Sequence, residues 1–447
     1  MKVLIFNPPF ERMVIRDYCC SHTSKANYCW VPIDMLVLSG VLSEKHDVRV
    51  LDSIIMKYGQ EETMKIIKEM NPDVVISMIS AITIKSDMKF LSKAKKATDS
   101  KMFVIGDISY FNPEHILKEY KDIDGIIFDF STKNILELIK GKQPKEEVAY
   151  RKSGKIYIGD KTNKRISYNI PKHEKFPLKK YSMPYSMHKP NTTILTTYGC
   201  PYCCTFCPSG KLPYKVRDLD NIIEEMKYIE KLGIKEIFVR DFTFTGNKIM
   251  VRDFCKSIKE NNIKISWSCE GRVDNINSWL LRLMKDAGCY LIFFGIETAN
   301  DDILKEVRKG TDTEKMKYAI NLCRRVGIRT LGSFIIGLPN DTKKSILKTI
   351  EFSKELKLDF ASFNMFVPRY GTDIRDELET KVFKSMDSSV EVENICGIPE
   401  NELIKLHKKA IRDFYFRPEY ILNNILGIRT VTQLRNLVKN GLNILMR

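Results

Sequence analysis

The chain has 447 residues, 43% of them hydrophobic and 29% charged, which places it among ordinary globular proteins and calls for two or three domains over a single core. Its formal charge of +17 is spread along the chain without an arginine-rich tail, so it marks a biased composition ahead of nucleic-acid binding, with attraction of an anionic substrate as a third reading. It has no run of about 18 apolar residues to span a membrane, MKVLIFNPPF carries no signal-peptide pattern, and twelve cysteines at this length make no disulfide scaffold; a cytoplasmic protein without a membrane partner is expected.

The apolar run KVLIFN at residues 2–7 predicts a buried strand. A helix over 33–42, strand 48–51, helix 61–70, strand 73–77, helix 85–97, strand 102–105, helix 113–120 and strand 125–128 follow. This alternation predicts an α/β fold with a doubly wound parallel sheet over residues 1–141, its ligand-facing loops lying beyond the strand C-termini. Residues 142–190, rich in Lys, Pro and Tyr and holding a hairpin at 147–160, read as a connector. A second series, with strands at 194–197, 236–240, 264–270, 290–297, 329–337 and 359–366, predicts a partial (β/α)6 barrel over 191–380. Residues 381–447 read as a mainly helical closing domain with a basic end.

Chemistry concentrates in TTYGCPYCCTFCPSG, where Cys200, Cys204 and Cys207 are spaced C-x3-C-x2-C. Clustered thiolates suit zinc or an iron–sulfur cluster. Structural zinc wants a fourth protein ligand, and Cys203 is a poor one because it adjoins Cys204. Three thiolates on a four-iron cluster instead leave one iron open to a small molecule. Placed after the first strand of a barrel, this spacing resembles the signature of the radical S-adenosylmethionine (SAM) superfamily. The resemblance implies a [4Fe-4S] cluster on Cys200, Cys204 and Cys207 as the catalytic metal site. The open iron would bind the amino and carboxylate groups of SAM, and an electron would release a 5′-deoxyadenosyl radical. It also implies a small-molecule substrate and an electron donor such as flavodoxin or ferredoxin. Tyr198 and Phe206 flank the triad as apolar packing.

Further stretches resemble the same superfamily in the same order. Asp241, with Phe242 and Thr243, stands where members place groups near the SAM amino end; capping the turn before Asn247 is the alternative. Glu297 ends an apolar strand and is a candidate for the ribose hydroxyls or the amino group. Arg272 ends another and is a candidate for the SAM carboxylate or a substrate anion, or else pairs with Asp274 or Glu270. Arg308 or Lys309 is a further carboxylate candidate, and Gly332 and Gly337 resemble the strand that lies against adenine.

The N-terminal stretches NPPF, VPIDMLVLSGVLSEKHDVRVLD, NPDVVISMISA and VIGDISYFNPEHIL, with the tail HKKAIRDFYFRPEYIL, resemble the branch that carries a cobalamin-binding-like domain. Ser77 and Ile79 keep a small-x-aliphatic pattern of that domain. Its Asp-x-His-x-x-Gly loop is absent, Gly106-Asp107-Ile108 replaces consecutive glycines, and FDFSTKN alters an acidic-glycine turn. A side chain and a buried charge at Asp107 would obstruct the corrinoid tail. Without cobalamin, the leading reading, the radical abstracts hydrogen and initiates dehydration, epimerisation, cyclisation or rearrangement. With cobalamin, the alternative is methyl transfer to carbon or phosphorus. RNA modification is a third reading, set back because the expected N-terminal ligand cysteines and RNA-binding barrel are not apparent. Cys19, Cys20, His22 and Cys29 on the first long loop are metal or thiol candidates, with incidental thiols as the simpler account; His188 is a candidate proton donor.

Overall fold

The computed structural model describes residues 1–25, 27–378, 394–428 and 430–445. Two compact units divide the chain, Met1–Ser182 with Pro213–Glu225, and Met183–Leu212 with Met226–Arg447.

The first unit is built on strands β1 (Lys2–Asn7), β2 (Asp47–Asp52), β3 (Val74–Met78), β4 (Lys101–Ile105), β5 (Gly125–Ile127), β6 (Val148–Lys152) and β7 (Lys155–Ile158). They lie in the order β2-β1-β3-β4-β5-β6-β7. The first five run parallel, as expected where helices α1 (Ile33–Ser43), α2 (Gln60–Met70) and α3 (Ile84–Thr98) return the chain between strands. Val3 to Phe6 are at most 1% exposed, so β1 is apolar on both sides because both its faces are covered. The hairpin foreseen in the connector is the antiparallel edge of this sheet, β5 pairing with β6 from Gly125↔Tyr150. Gly40 lets the connector run against α1: a Cβ there would stand 2.1 Å from the Asn169 carbonyl oxygen.

The topology reverses between β1 and β3, where doubly wound sheets leave a crevice. Here Arg16, from the loop after β1, fills it. Its fully buried guanidinium reaches Asp87 at 2.6 and 3.2 Å, Asn7 Oδ1 at 2.7 Å and the Pro8 carbonyl at 2.9 Å.

The second unit holds six parallel strands in sequential order: β8 (Asn191–Ile194), β9 (Glu236–Val239), β10 (Ser266–Gly271), β11 (Cys289–Glu297), β12 (Arg329–Ile336) and β13 (Phe360–Met365). Helices α5 (Lys248–Glu260), α6 (Ser278–Asp286), α7 (Thr313–Val326) and α8 (Lys343–Glu355) cover it, each presenting an apolar stripe to the strands. The sheet runs from β8 to β13 without their pairing, so it is the partial barrel expected. Its first strand differs from the expectation of 194–197: β8 ends at Ile194. Asp241 accepts from the Thr196 N–H at 2.8 Å, and from the Thr196 and Thr197 hydroxyls, which draws these residues out of the ladder. Helices α9 (Glu400–Tyr415), α10 (Pro418–Leu426) and α11 (Val431–Leu445) form the helical end. The boundary expected at 380/381 lies outside the described residues.

Candidate functional site

The loop after β8 carries the three cysteines. Cys200, Cys204 and Cys207 are partly buried, and Cys203 points to solvent. The loop is pinned by the Thr205 N–H to the Val307 carbonyl at 3.1 Å and closed on itself by the Cys207 N–H to the Cys204 carbonyl at 3.1 Å. Phe206 packs on a core of Ile303, Val307, Leu338, Phe366 and Ile374. Among the described residues no three His, Cys, Asp or Glu side chains gather closely enough for a single metal ion. Three thiolates from one loop, with no fourth protein ligand in the spacing, suit a cluster in which each takes a separate iron.

Cationic groups crowd the triad. Arg272, at the end of β10, places Nη1 3.8 Å from Cys204 Sγ and lies 3.9 Å over the Tyr202 ring. Asp274 holds it at 3.0 and 2.9 Å, and the Lys309 carbonyl takes another of its N–H groups. Of the sequence readings of Arg272, the pair with Asp274 is present, and the same guanidinium faces Cys204. Burial raises the Cys200 thiol above its ordinary range, against the pull of the Tyr202 N–H and of the charges on Arg272 and Lys309.

Glu297 closes β11 in the left-handed region, at φ 64°, just after a register shift between Gly295 and Glu297. A bulge followed by a left-handed non-glycine residue is unfavourable backbone. Its effect is to bring Glu297 Oε1 to 2.5 Å from Lys309 Nζ in a buried pair. Burial pulls the Lys309 ammonium down and Glu297 pulls it up, and the net position is above the ordinary range. A Cβ on Gly295 would lie 2.4 Å from Glu297 Oε1 and 2.6 Å from Lys309 Nζ, so that glycine is required by the pair. Arg308 turns outward to Asp373 at 3.3 Å, which separates the two candidates: Lys309 is the inward one.

The buried Asp241 carboxylate accepts from Thr196 and Thr197, and the turn before Asn247 is capped by the Asn247 side chain itself. Burial raises the pKa of Asp241 despite these bonds. The glycine pair also reads differently in three dimensions. A Cβ on Gly332 would meet Leu358 at 2.5 Å, so the missing side chain admits an apolar neighbour. Gly337 adopts φ 88° with its N–H on Asp341, a turn that favours glycine. Tyr202, Gly295 and Thr311 had no signal in sequence; the hydroxyls of Thr243 and Thr311 are buried and have no partner among the described residues.

In the first unit Ser77 is buried on β3, its hydroxyl on the Met78 carbonyl at 3.1 Å. Gly106 has φ 144°, and a Cβ there would stand 1.9 Å from the Ile79 carbonyl oxygen. Asp107 opens α4 (Asp107–Phe111) and draws three loops together, accepting from the N–H groups of Ser21 at 3.1 Å, Ala81 at 3.0 Å and Ile108 at 2.7 Å. The charge foreseen as an obstruction is thus satisfied within the loops. Tyr110, one turn on, has a buried hydroxyl without a partner among the described residues. Lys161 stands 3.8 Å over the Tyr110 ring, and burial lowers its pKa to about 8. Cys19 and Cys29 are buried, and the Cys29 thiol donates to the Trp30 carbonyl at 3.1 Å. The His188 N–H donates to Glu236 Oε2 at 2.6 Å.

Residues 194–353 match the family model described as the Radical SAM superfamily. The uncharacterized methyltransferase PH0819 of Pyrococcus horikoshii is 28% identical over 95% of each chain. The putative methylthiotransferase MJ0865 of Methanocaldococcus jannaschii is 28% identical over 76% of each. Cytidylyl-2-hydroxyethylphosphonate methyltransferase of Streptomyces wedmorensis is 23% identical over 87% of each. Among solved structures, the radical SAM methyltransferase TsrM from Kitasatospora setae, with cobalamin and a [4Fe-4S] cluster bound, superposes with a TM-score of 0.67 at 14% identity, covering 94% of this chain and 89% of that one. The cobalamin-dependent radical enzyme OxsB, with aqua-cobalamin and SAM bound, gives 0.66 at 15%, covering 99% and 72%. These likenesses establish the fold. Among the described residues no helix is long and apolar enough to cross a membrane.

Proposed function

We propose that this chain is a radical SAM enzyme of the branch with an N-terminal cobalamin-binding-like domain, and that it is a cobalamin-dependent methyltransferase acting on a small molecule. The similarity to PH0819, running through both units over 95% of each chain, carries this reading. It moves methyl transfer ahead of hydrogen abstraction without a corrinoid, the order taken from the sequence.

Cluster and SAM together supply a one-electron source, a carbon radical and a methyl group. Cys200, Cys204 and Cys207 would hold the cluster, while the Tyr202 and Arg272 stack beside Cys204 offsets thiolate charge. The amino-acid end of SAM carries an ammonium and a carboxylate. Glu297 offers the matching anion, with Lys309 and Arg272 the matching cations, already held by Asp274 and Gly295's open backbone. Thr243 and Thr311 bring unspent hydroxyls. Cobalamin would be held along the strand ends of the first unit, at Ser77, Gly106 and Tyr110, where the orphan Tyr110 hydroxyl is the observation in its favour. The work of the protein is to orient these groups and exclude water. Flavodoxin or ferredoxin would supply electrons.

Anaerobic reconstitution with iron, sulfide and hydroxocobalamin tests the reading. About one corrinoid per chain should survive gel filtration, and S-adenosylhomocysteine should form from SAM. A protein that forms 5′-deoxyadenosine yet retains no corrinoid returns the chain to the hydrogen-abstraction reading.

A further inference from the structure

Helices α10 and α11 are amphipathic the wrong way round. In α10, Tyr420 and Asn424 face the domain: the Tyr420 hydroxyl donates to the Asp359 carbonyl at 3.0 Å, and Arg329 donates to Asn424 Oδ1 at 3.3 Å. Ile421, Leu422, Ile425 and Leu426 share the outer side, with Leu422 57% and Leu426 73% exposed. In α11, Asn436 donates inward to the Met183 and Ser186 carbonyls at 3.3 and 3.2 Å. Val431, Leu434 and Val438, spaced i, i+3, i+7, form the opposite stripe, with Val431 66% exposed. Both helices therefore dock through polar groups and present seven aliphatic side chains outward.

Charge identifies the partner. Glu419, in the first turn of α10, is the last acid in the sequence; residues 420–447 contain no Asp or Glu, whereas Arg429, Arg435, Lys439 and Arg447 are basic, and the whole chain carries +17. An aliphatic stripe on a segment whose sequence beyond Glu419 is basic and carries no acid is the pattern of a helix lying in the headgroup region of an acidic bilayer. A second copy of this chain would set like charges against one another across a two-fold contact. We infer that the α10–α11 face seats on an anionic lipid surface. The expectation of no membrane partner rested on the lack of a spanning run, a criterion blind to helices that lie on the surface.

The test uses the full-length, cluster-loaded protein in anaerobic co-sedimentation with vesicles. One set contains equal phosphatidylglycerol and phosphatidylcholine, the other phosphatidylcholine alone. Partitioning should be at least about tenfold stronger onto the acidic vesicles and should fall as salt rises to about 0.5 M. The double variant Leu426→Asp, Val431→Asp should lose at least about tenfold in partitioning, with iron content and SAM cleavage unchanged because neither residue touches the barrel site. Absence of binding, equal binding to both vesicle types, or undiminished binding by the variant would overturn the inference. So would a dimer in light scattering that the same variant splits.

Discussion

Lys309 Nζ and Glu297 Oε1 meet at 2.5 Å at the end of β11, and the contact exists only because residue 295 has no side chain. Breaking a buried pair by intruding on it typically costs about 3–5 kcal/mol, because a charge is left without its partner. Gly295→Ala should therefore destabilise the protein by about 3 kcal/mol in urea denaturation. It should also weaken SAM binding at least about tenfold while leaving iron content unchanged. Unaltered SAM affinity would remove the pair from the cofactor site.

Strand and helix alternation was legible because periodicity reports which side of an element is buried. The cysteine triad was legible because its spacing is local. Glu297 stood out as a charge ending an apolar strand. Periodicity does not say which distant element arrives at a given face. Arg272 and Cys204 are 68 residues apart, and Asp241 and Thr196 are 45 apart. For that reason the first barrel strand was placed over 194–197, where β-branched residues look like strand, while Asp241 takes two of those threonines for itself. Nor does periodicity reveal that Leu358, 26 residues away, packs where a Gly332 Cβ would stand.

Asp241 makes the second test. Asp241→Ala would leave the Thr196 N–H and two hydroxyls without their acceptor in a fully buried site, an expected loss of about 3 kcal/mol. SAM affinity measured on the folded fraction should change little. Asp241→Asn that weakens SAM binding tenfold without lowering stability would instead put the carboxylate in the cofactor site.

The four cysteines of the loop should separate cleanly. Cys200→Ala, Cys204→Ala and Cys207→Ala should each lose most of the iron and sulfide and abolish 5′-deoxyadenosine formation. Cys203→Ala should keep about four irons per chain, since its thiol points to solvent. Iron loss in Cys203→Ala equal to that in the other three would reassign the ligands.

Glu236 carries a pH dependence. Burial pushes its carboxyl from 4.5 up to about 7, against the N–H groups of Met187 and His188 and the Tyr290 hydroxyl that favour the charged form. The folded state then holds this proton more tightly than the unfolded chain. Below pH 4.5 both forms are protonated and no penalty exists; between 4.5 and 7 stability falls as pH rises, and above 7 the penalty is complete. The full difference is about 3 kcal/mol. Urea midpoints measured across that window should fall more steeply for the natural protein than for Glu236→Gln, and parallel curves would show that the carboxyl does not titrate there.

Tyr110 gives the sharpest view of the N-terminal domain, because its hydroxyl should have opposite effects with and without a ligand. In the ligand-free protein the group is buried and has no partner among the described residues, a state that costs about 1–3 kcal/mol relative to a bonded hydroxyl. Tyr110→Phe removes that cost while keeping the ring against Phe111 and Phe128 and under Lys161, so the corrinoid-free variant should be as stable as the natural protein or more so. If the hydroxyl donates to bound cobalamin, the same change should weaken corrinoid retention about tenfold. The two readouts separate the outcomes. Lower stability without corrinoid would mean that the hydroxyl is bonded within the domain. Unchanged retention with unchanged stability would place the corrinoid away from α4, and would leave Ser77 and Gly106 as packing residues of the first unit.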